Sequence, residues 1–206
     1  MPTCRICRSK FTSRFSSFQK TCENPSCIIE WSKQQREKVV KKEWSKEKKK
    51  IKESHITPSQ RLSKLEDEIN HIARLIDKGH GCTSCEAPPK KINGGHLRSV
   101  GSSRNIRFNL FNIFAQCNSC NSDKGGNTTA YCDKLIRIFG KERFEYCFFD
   151  LMRLYPRLSP STDQIIEWTK IARKIVARLK SADEVYTTDQ RWTIREEINQ
   201  ELGIYK

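Results

Sequence analysis

Eight of the ten cysteines in this 206-residue chain stand in four close pairs: Cys4/Cys7, Cys22/Cys27, Cys82/Cys85 and Cys117/Cys120. No other feature restricts the fold so much. Thiolates on two tight turns can meet tetrahedrally around one ion, and the ion then replaces a core that few residues cannot build. The pairs sort into two sets: fourteen residues separate Cys7 from Cys22, and thirty-one separate Cys85 from Cys117. Each set predicts one structural zinc site. Such thiols belong to a reducing compartment, where cysteines serve as ligands more than as disulfides. The N-terminus carries no apolar signal segment and no run reaches membrane-spanning length, so an intracellular protein without a membrane partner is expected.

The spacing of apolar and breaking residues divides the chain into four expected modules. Residues 1–27 form an N-terminal zinc knuckle, with Phe11, Phe15 and Phe18 between the cysteine pairs. Residues 28–79 hold two helices. The first, over 28–53, is free of Gly and Pro, has a sparse apolar stripe at Val40, Trp44 and Ile51, and is rich in lysine. The second starts at a capping box, Thr57-Pro58-Ser59-Gln60, and carries Leu62, Leu65, Ile69, Ile72 and Ile76 at helical spacing before Gly79. His71 on that helix reads as a surface histidine without a chemical role. Residues 80–131 form the second cysteine module, and 132–206 a C-terminal helical region with helices over 130–140, 142–155, 162–181 and 193–202. Cys132 and Cys147 lie inside these helices and read as small buried hydrophobes. The fold class is therefore mainly α with small zinc-stapled modules.

Charge narrows the partner. Lysine and arginine number 39 against 24 acidic residues, a formal net charge of +15. Such an excess favours a polyanion, and nucleic acid before membrane. The first helix offers a rail of lysines that includes Lys41, Lys42, Lys48 and Lys49, suited to lie along a phosphate backbone; the alternative is a solvated helix face.

The segment enclosed by the second cysteine set is not that of a passive ribbon. It holds a single histidine, His96, after Gly94-Gly95, then Arg98, Arg104, Arg107, Asn109 and Asn112, and the set closes with QCNSCNSDKGGN. Gly95-His96, Asn112-Ile113 and Cys120-Asn121 with Lys124 resemble the HNH, or His-Me finger, nuclease motif on two zinc knuckles, a layout similar to that of phage junction resolvases. With the N-terminal knuckle, the basic helix and Lys-Gly-Gly-Asn, the chain resembles the lambda NinG (Rap) family of recombination endonucleases over roughly residues 1–140.

The resemblance implies a ββα-metal finger in which His96 is the general base, Asn112 holds the histidine loop and Asn121 ligates a catalytic Mg2+ or Mn2+. Arg98, Arg104, Arg107 and Lys124 would contact nucleic acid. A neutral imidazole suits proton abstraction from water near pH 7, and amide oxygens suit a hard cation where thiolates do not. The helix expected to start at the second cysteine pair would aim Asn121. Many such fingers carry an aspartate before the histidine, where this chain has Gly95; Asn93, Asn127, Asp123 or water would then complete the shell. The implied function is a metal-dependent endonuclease acting on branched DNA such as a D-loop or Holliday junction, in the cytoplasm of a bacterial host, with a homodimer as a possible partner arrangement. The alternatives are a non-catalytic zinc-dependent nucleic-acid-binding protein and a duplex-cutting restriction or homing nuclease.

Overall fold

The computed structural model describes the whole chain except residues 15, 17, 87–90 and 206, so Phe15 lies outside the described residues. The chain forms two compact units, Met1–Ile56 and Thr57–Lys206.

In the first unit the four cysteines gather beside a single long helix, α1 (Pro25–Ser54). Asn24 caps it by accepting from the Ser26 N–H, with Pro25 in the first turn, so the helix begins inside the second cysteine pair, three residues before the start the sequence suggests. At 30 residues it is about 45 Å long. Cys27 is its single buried residue among those described. Val40 and Trp44 stand 63% and 64% exposed, so the sparse apolar stripe is largely left to solvent. Cys4, Phe11 and Cys27 make the unit's small core.

The second unit starts at α2 (Pro58–Ile76), entered through the capping box of Thr57 and Gln60. Two short antiparallel strands follow, β1 (Ile92–His96) and β2 (Ile113–Cys117), paired so that His96 faces Ile113 and Gly95 faces Phe114. Then come α3 (Thr128–Phe139), α4 (Lys141–Glu145) running through a wide turn at Tyr146–Asp150 into α5 (Leu151–Leu154), α6 (Thr162–Ala182) and α7 (Thr188–Leu202). The last helix starts five residues before the expected 193, because Thr187 and Gln190 form a capping box.

Successive residues of β2 point to opposite faces, and each face has its own core. Ile113 joins α2, α6 and α7 in a cluster built on Leu65, Ile69, Ile72, Trp168, Ile175 and Ile198. Phe114 joins Tyr131, Leu135, Phe139 and Leu151 in the other. Cys147 is buried in that second cluster and Cys132 packs partly against it, as small hydrophobes would.

A buried ion cluster ties α7 to the strands. Asp77 accepts from Arg191 Nε at 2.8 Å and Arg195 NH2 at 2.7 Å, and its other oxygen accepts from the Ala115 N–H. Arg195 also donates to the Leu110 carbonyl and stacks on Phe114, while Arg191 stacks on Phe139. Burial alone would raise the Asp77 carboxyl, but the charges of Arg195 and Arg191 outweigh it and hold it below the usual range. No helix among the described residues is long and apolar enough to cross a membrane.

Candidate active site

Both cysteine sets close. Within Cys4, Cys7, Cys22 and Cys27, and within Cys82, Cys85, Cys117 and Cys120, the sulfur atoms all lie within 4.8 Å of one another. A tetrahedron with metal–sulfur bonds of about 2.3 Å has sulfur–sulfur edges of about 3.8 Å. Cys7 and Cys22 stand 3.7 Å apart, and Cys85 and Cys117 3.8 Å. None of the ten cysteines is in a disulfide, so each set could hold a metal ion of the zinc class. Knuckle geometry supports this, with the Ser84 and Cys120 N–H groups donating to the sulfurs of Cys82 and Cys117. Burial would raise the Cys4 and Cys82 thiols, but surrounding backbone N–H groups bring them down to about 6 and about 7. The Lys134 ammonium caps the second set by donating to the carbonyls of Cys82 and Cys85.

The second set staples the far end of the hairpin whose near end carries His96. The His96 side chain is 11% exposed. Its Nε2 lies 2.9 Å from the Arg107 carbonyl, which can only accept, so Nε2 carries the proton and Nδ1 keeps a free lone pair. Desolvation lowers its pKa; the bond to the Arg107 carbonyl and the charge of Glu66 pull it up, and the charge of Arg107 pushes it down, with a net fall below the ordinary value. Glu66 Oε1 stands 3.6 Å from Nε2, and its other oxygen pairs with the Arg107 guanidinium. Neither Glu66 nor this pairing is visible in the sequence, because α2 and the hairpin meet only in the fold.

Asn112 is fully buried and bridges the loop after His96. Its Oδ1 accepts from the Arg98 N–H at 2.8 Å, and its Nδ2 donates to the Arg98 carbonyl at 3.2 Å. Tyr131 fixes the same hairpin from α3, donating to the Gly95 carbonyl and accepting from the Phe114 N–H.

Two glycines before His96 allow close approach on both faces of β1. A Cβ at Gly94 would stand 2.9 Å from Asn70 Cβ on α2, and one at Gly95 would stand 2.3 Å from Gln116 Oε1. The side-chain oxygens of Asn70 and Gln116 are both buried without a hydrogen-bond partner.

Asn121 is partly exposed and sits in a single wide turn, Ser119–Asp123, not at the start of a continuous helix. Gly125, Gly126 and Asn127 all have positive φ and interrupt the chain before α3 resumes at Thr128. Of the residues considered for the missing ligand, Asn127 spends its amide on the Cys120 sulfur and Asn93 donates to Asn118, while Asp123 is exposed. Lys124 and Arg104 are exposed. Arg98 stacks on Phe148 and donates to its carbonyl, and Arg107 is engaged by Glu66. Lys41, Lys42, Lys48 and Lys49 all lie exposed on α1. Pro88 and Pro89, which follow Cys82 and Cys85 in the sequence, lie outside the described residues.

A family model described as the Bacteriophage Lambda NinG protein matches residues 1–184, well past the 1–140 over which the motifs are recognisable. Protein ninG of Escherichia phage 933W is 28% identical over 152 residues, which cover 68% of this chain and 76% of that protein. Protein ninG of Escherichia phage lambda is 32% identical over 82 residues, covering 39% of this chain and 40% of that protein. No solved structure matches.

Proposed function

The chain belongs to the phage NinG family, and from that premise we propose that it is a metal-dependent endonuclease that hydrolyses phosphodiester bonds in DNA, with branched recombination intermediates as its substrates. One observation carries the reading. The single histidine of the hairpin is held by a backbone carbonyl at Nε2, has its pKa lowered by burial, and keeps Nδ1 unengaged among the described residues. That is the state a general base needs.

In this reading Nδ1 of His96 takes the proton of the attacking water. The Arg107 carbonyl fixes the tautomer, and Glu66 stabilises the imidazolium that forms. Asn112 holds the loop so that the ring does not swing away. The donors at hand fit a hard divalent cation: the partly exposed Asn121 amide and a buried amide oxygen at Gln116 that lacks a donor. When bound, Mg2+ or Mn2+ supplies charge neutralisation at the phosphoryl and leaving oxygens. Zinc in the two thiolate sets is structural. The net charge of +15 and the exposed lysines of α1, with Lys124 and Arg104, give a DNA backbone its counter-charges.

The test is cleavage of labelled duplex, fork, D-loop and four-way junction with Mg2+ or Mn2+. His96→Ala should lower cleavage by about two to four orders of magnitude while zinc content and DNA affinity hold. Asn121→Ala should lose most activity and regain part of it at high metal concentration, which His96→Ala should not. The acid limb of the wild-type pH–rate profile should lie below about 6.5, because a base with a depressed pKa stays neutral to lower pH. Full cleavage by His96→Ala protein would leave the zinc-dependent binding protein as the better account. Cleavage confined to one duplex sequence would favour the restriction or homing reading.

A further inference from the structure

Gln116 is completely buried on β2, one residue before the second zinc knuckle closes. Its amide nitrogen donates to the Ser84 hydroxyl and to the Gly126 carbonyl. A carbonyl can only accept, so the amide orientation is fixed and Oε1 must point the other way. There it meets the bare face of Gly95 and finds no hydrogen-bond partner. Such an oxygen has given up its hydrogen bonds to water without replacement, and buried polar groups in folded proteins rarely go unmet.

The same amide is bound to the turn that carries Asn121. Gly126, whose carbonyl it holds, donates its N–H to the Cys120 carbonyl and so closes that turn. Asn70, the other unpartnered amide oxygen beside β1, lies on the opposite face, against α2, because Gly94 and Gly95 point to opposite sides. Gln116 is thus the donor-free oxygen on the face of β1 that is tied to the Asn121 turn.

We propose that Gln116 Oε1 is an oxygen ligand of the divalent cation that the endonuclease reading requires, alongside Asn121, in place of a side chain that Gly95 cannot provide. The inference rests on that reading. Both ligands are neutral amides, so the cation site carries no charge of its own. Cation affinity is therefore weak in free protein and rises when DNA phosphate oxygens join the shell, as hard divalent cations in phosphate sites use substrate oxygens. A carboxylate introduced at this position would strengthen the site, whereas a residue that merely braces the turn through its N–H groups would lose its function on the same change.

The test measures Mn2+ binding by electron paramagnetic resonance on the full, zinc-loaded chain carrying His96→Ala, with and without a four-way DNA junction. Zinc content reports folding. Gln116→Ala should weaken Mn2+ binding at least about tenfold, the scale on which even the partners of ligands act. Gln116→Glu should bind Mn2+ more tightly than the parent, and the junction should tighten Mn2+ binding to the parent. If Gln116→Ala loses zinc, the Gln116→Glu protein decides alone. Parent-like Mn2+ binding by Gln116→Ala, with Asn121→Ala weakened, would overturn the assignment and leave the endonuclease reading intact. So would Gln116→Glu binding no better than the parent. Absence of saturable Mn2+ binding by the parent, with and without the junction, would sink both.

Discussion

The two units use the same four-cysteine device to opposite ends. In Met1–Ile56 little is buried among the described residues: Cys4, Phe11 and Cys27 form the core, and α1 leaves Ile29, Val40 and Trp44 to solvent. In Thr57–Lys206 the second set sits at the edge of an extensive apolar interior and closes one end of a hairpin whose other end bears His96. A metal can therefore stand in for a core or shape a site on a core that already exists. In the second unit burial depresses the pKa of the histidine at the other end of that hairpin.

The largest effect that could break this comparison is metal removal. Structural zinc contributes about 10–16 kcal/mol to folding of zinc-finger peptides, which have little else. Replacing Cys4 and Cys22 by Ser should abolish amide-exchange protection of the backbone bonds among residues 4–24, while α2 and α6 stay protected. Replacing Cys82 and Cys117 should loosen the end of the hairpin and leave the α2–α6 interior folded. Hydrogen exchange read by mass spectrometry, with zinc content per chain, checks both. Equal loss in the two units would mean that the second also depends on metal for its core.

A smaller effect probes what holds the second unit in place of metal. Asp77 neutralises one of two arginines that are 1% and 0% exposed. Asp77→Ala leaves both guanidinium groups buried without a counter-charge, a loss of about 3–5 kcal/mol. The pH dependence follows from the depressed carboxyl. Unfolded aspartate titrates near pH 3.9, so the pair contributes fully above about that value, and its contribution is lost as pH falls from there through the lower folded pKa. Thermal denaturation of wild type and Asp77→Asn between pH 7 and pH 2.5 should show a steeper acid loss in wild type. Parallel curves would remove Asp77 from the account.

Much of this was legible in the chain, and what escaped has common physical causes. Cysteine spacing foretold the two sulfur clusters, and the Thr57 capping box with its period of leucines and isoleucines foretold α2. The start of α7 was written in Thr187 and Gln190 as well, but its buried face holds Arg191 and Arg195 beside Ile198, so no apolar period announced it. A buried arginine has the sequence signature of an exposed one until its partner, 114 residues away, is known. Glu66 and Gln116 escaped for the same reason: one meets His96 across 30 positions, and the other matters through a buried oxygen without a hydrogen-bond partner. Asn121 was expected at the start of a helix, but the positive φ angles of Gly125, Gly126 and Asn127 turn that start into an isolated turn.

The smallest effect sharpens the comparison from the side of the first unit. If that unit gives affinity and the second gives chemistry, substitutions on α1 should change how tightly DNA is held and nothing about which bond is cut. Lys41, Lys42, Lys48 and Lys49 are exposed and carry no buried contact, so replacing all four by Gln should leave the fold unchanged. Each lysine that had displaced a counterion should lower the slope of log affinity against log salt by about 0.9 on duplex DNA. Binding to duplex, fork and junction should weaken by similar factors, because phosphate contacts carry no shape or sequence information of their own. Cleavage at saturating DNA should be unaffected. An unchanged slope would return α1 to a solvated face, and a loss confined to junctions would place substrate selection in the first unit and undo the division of labour.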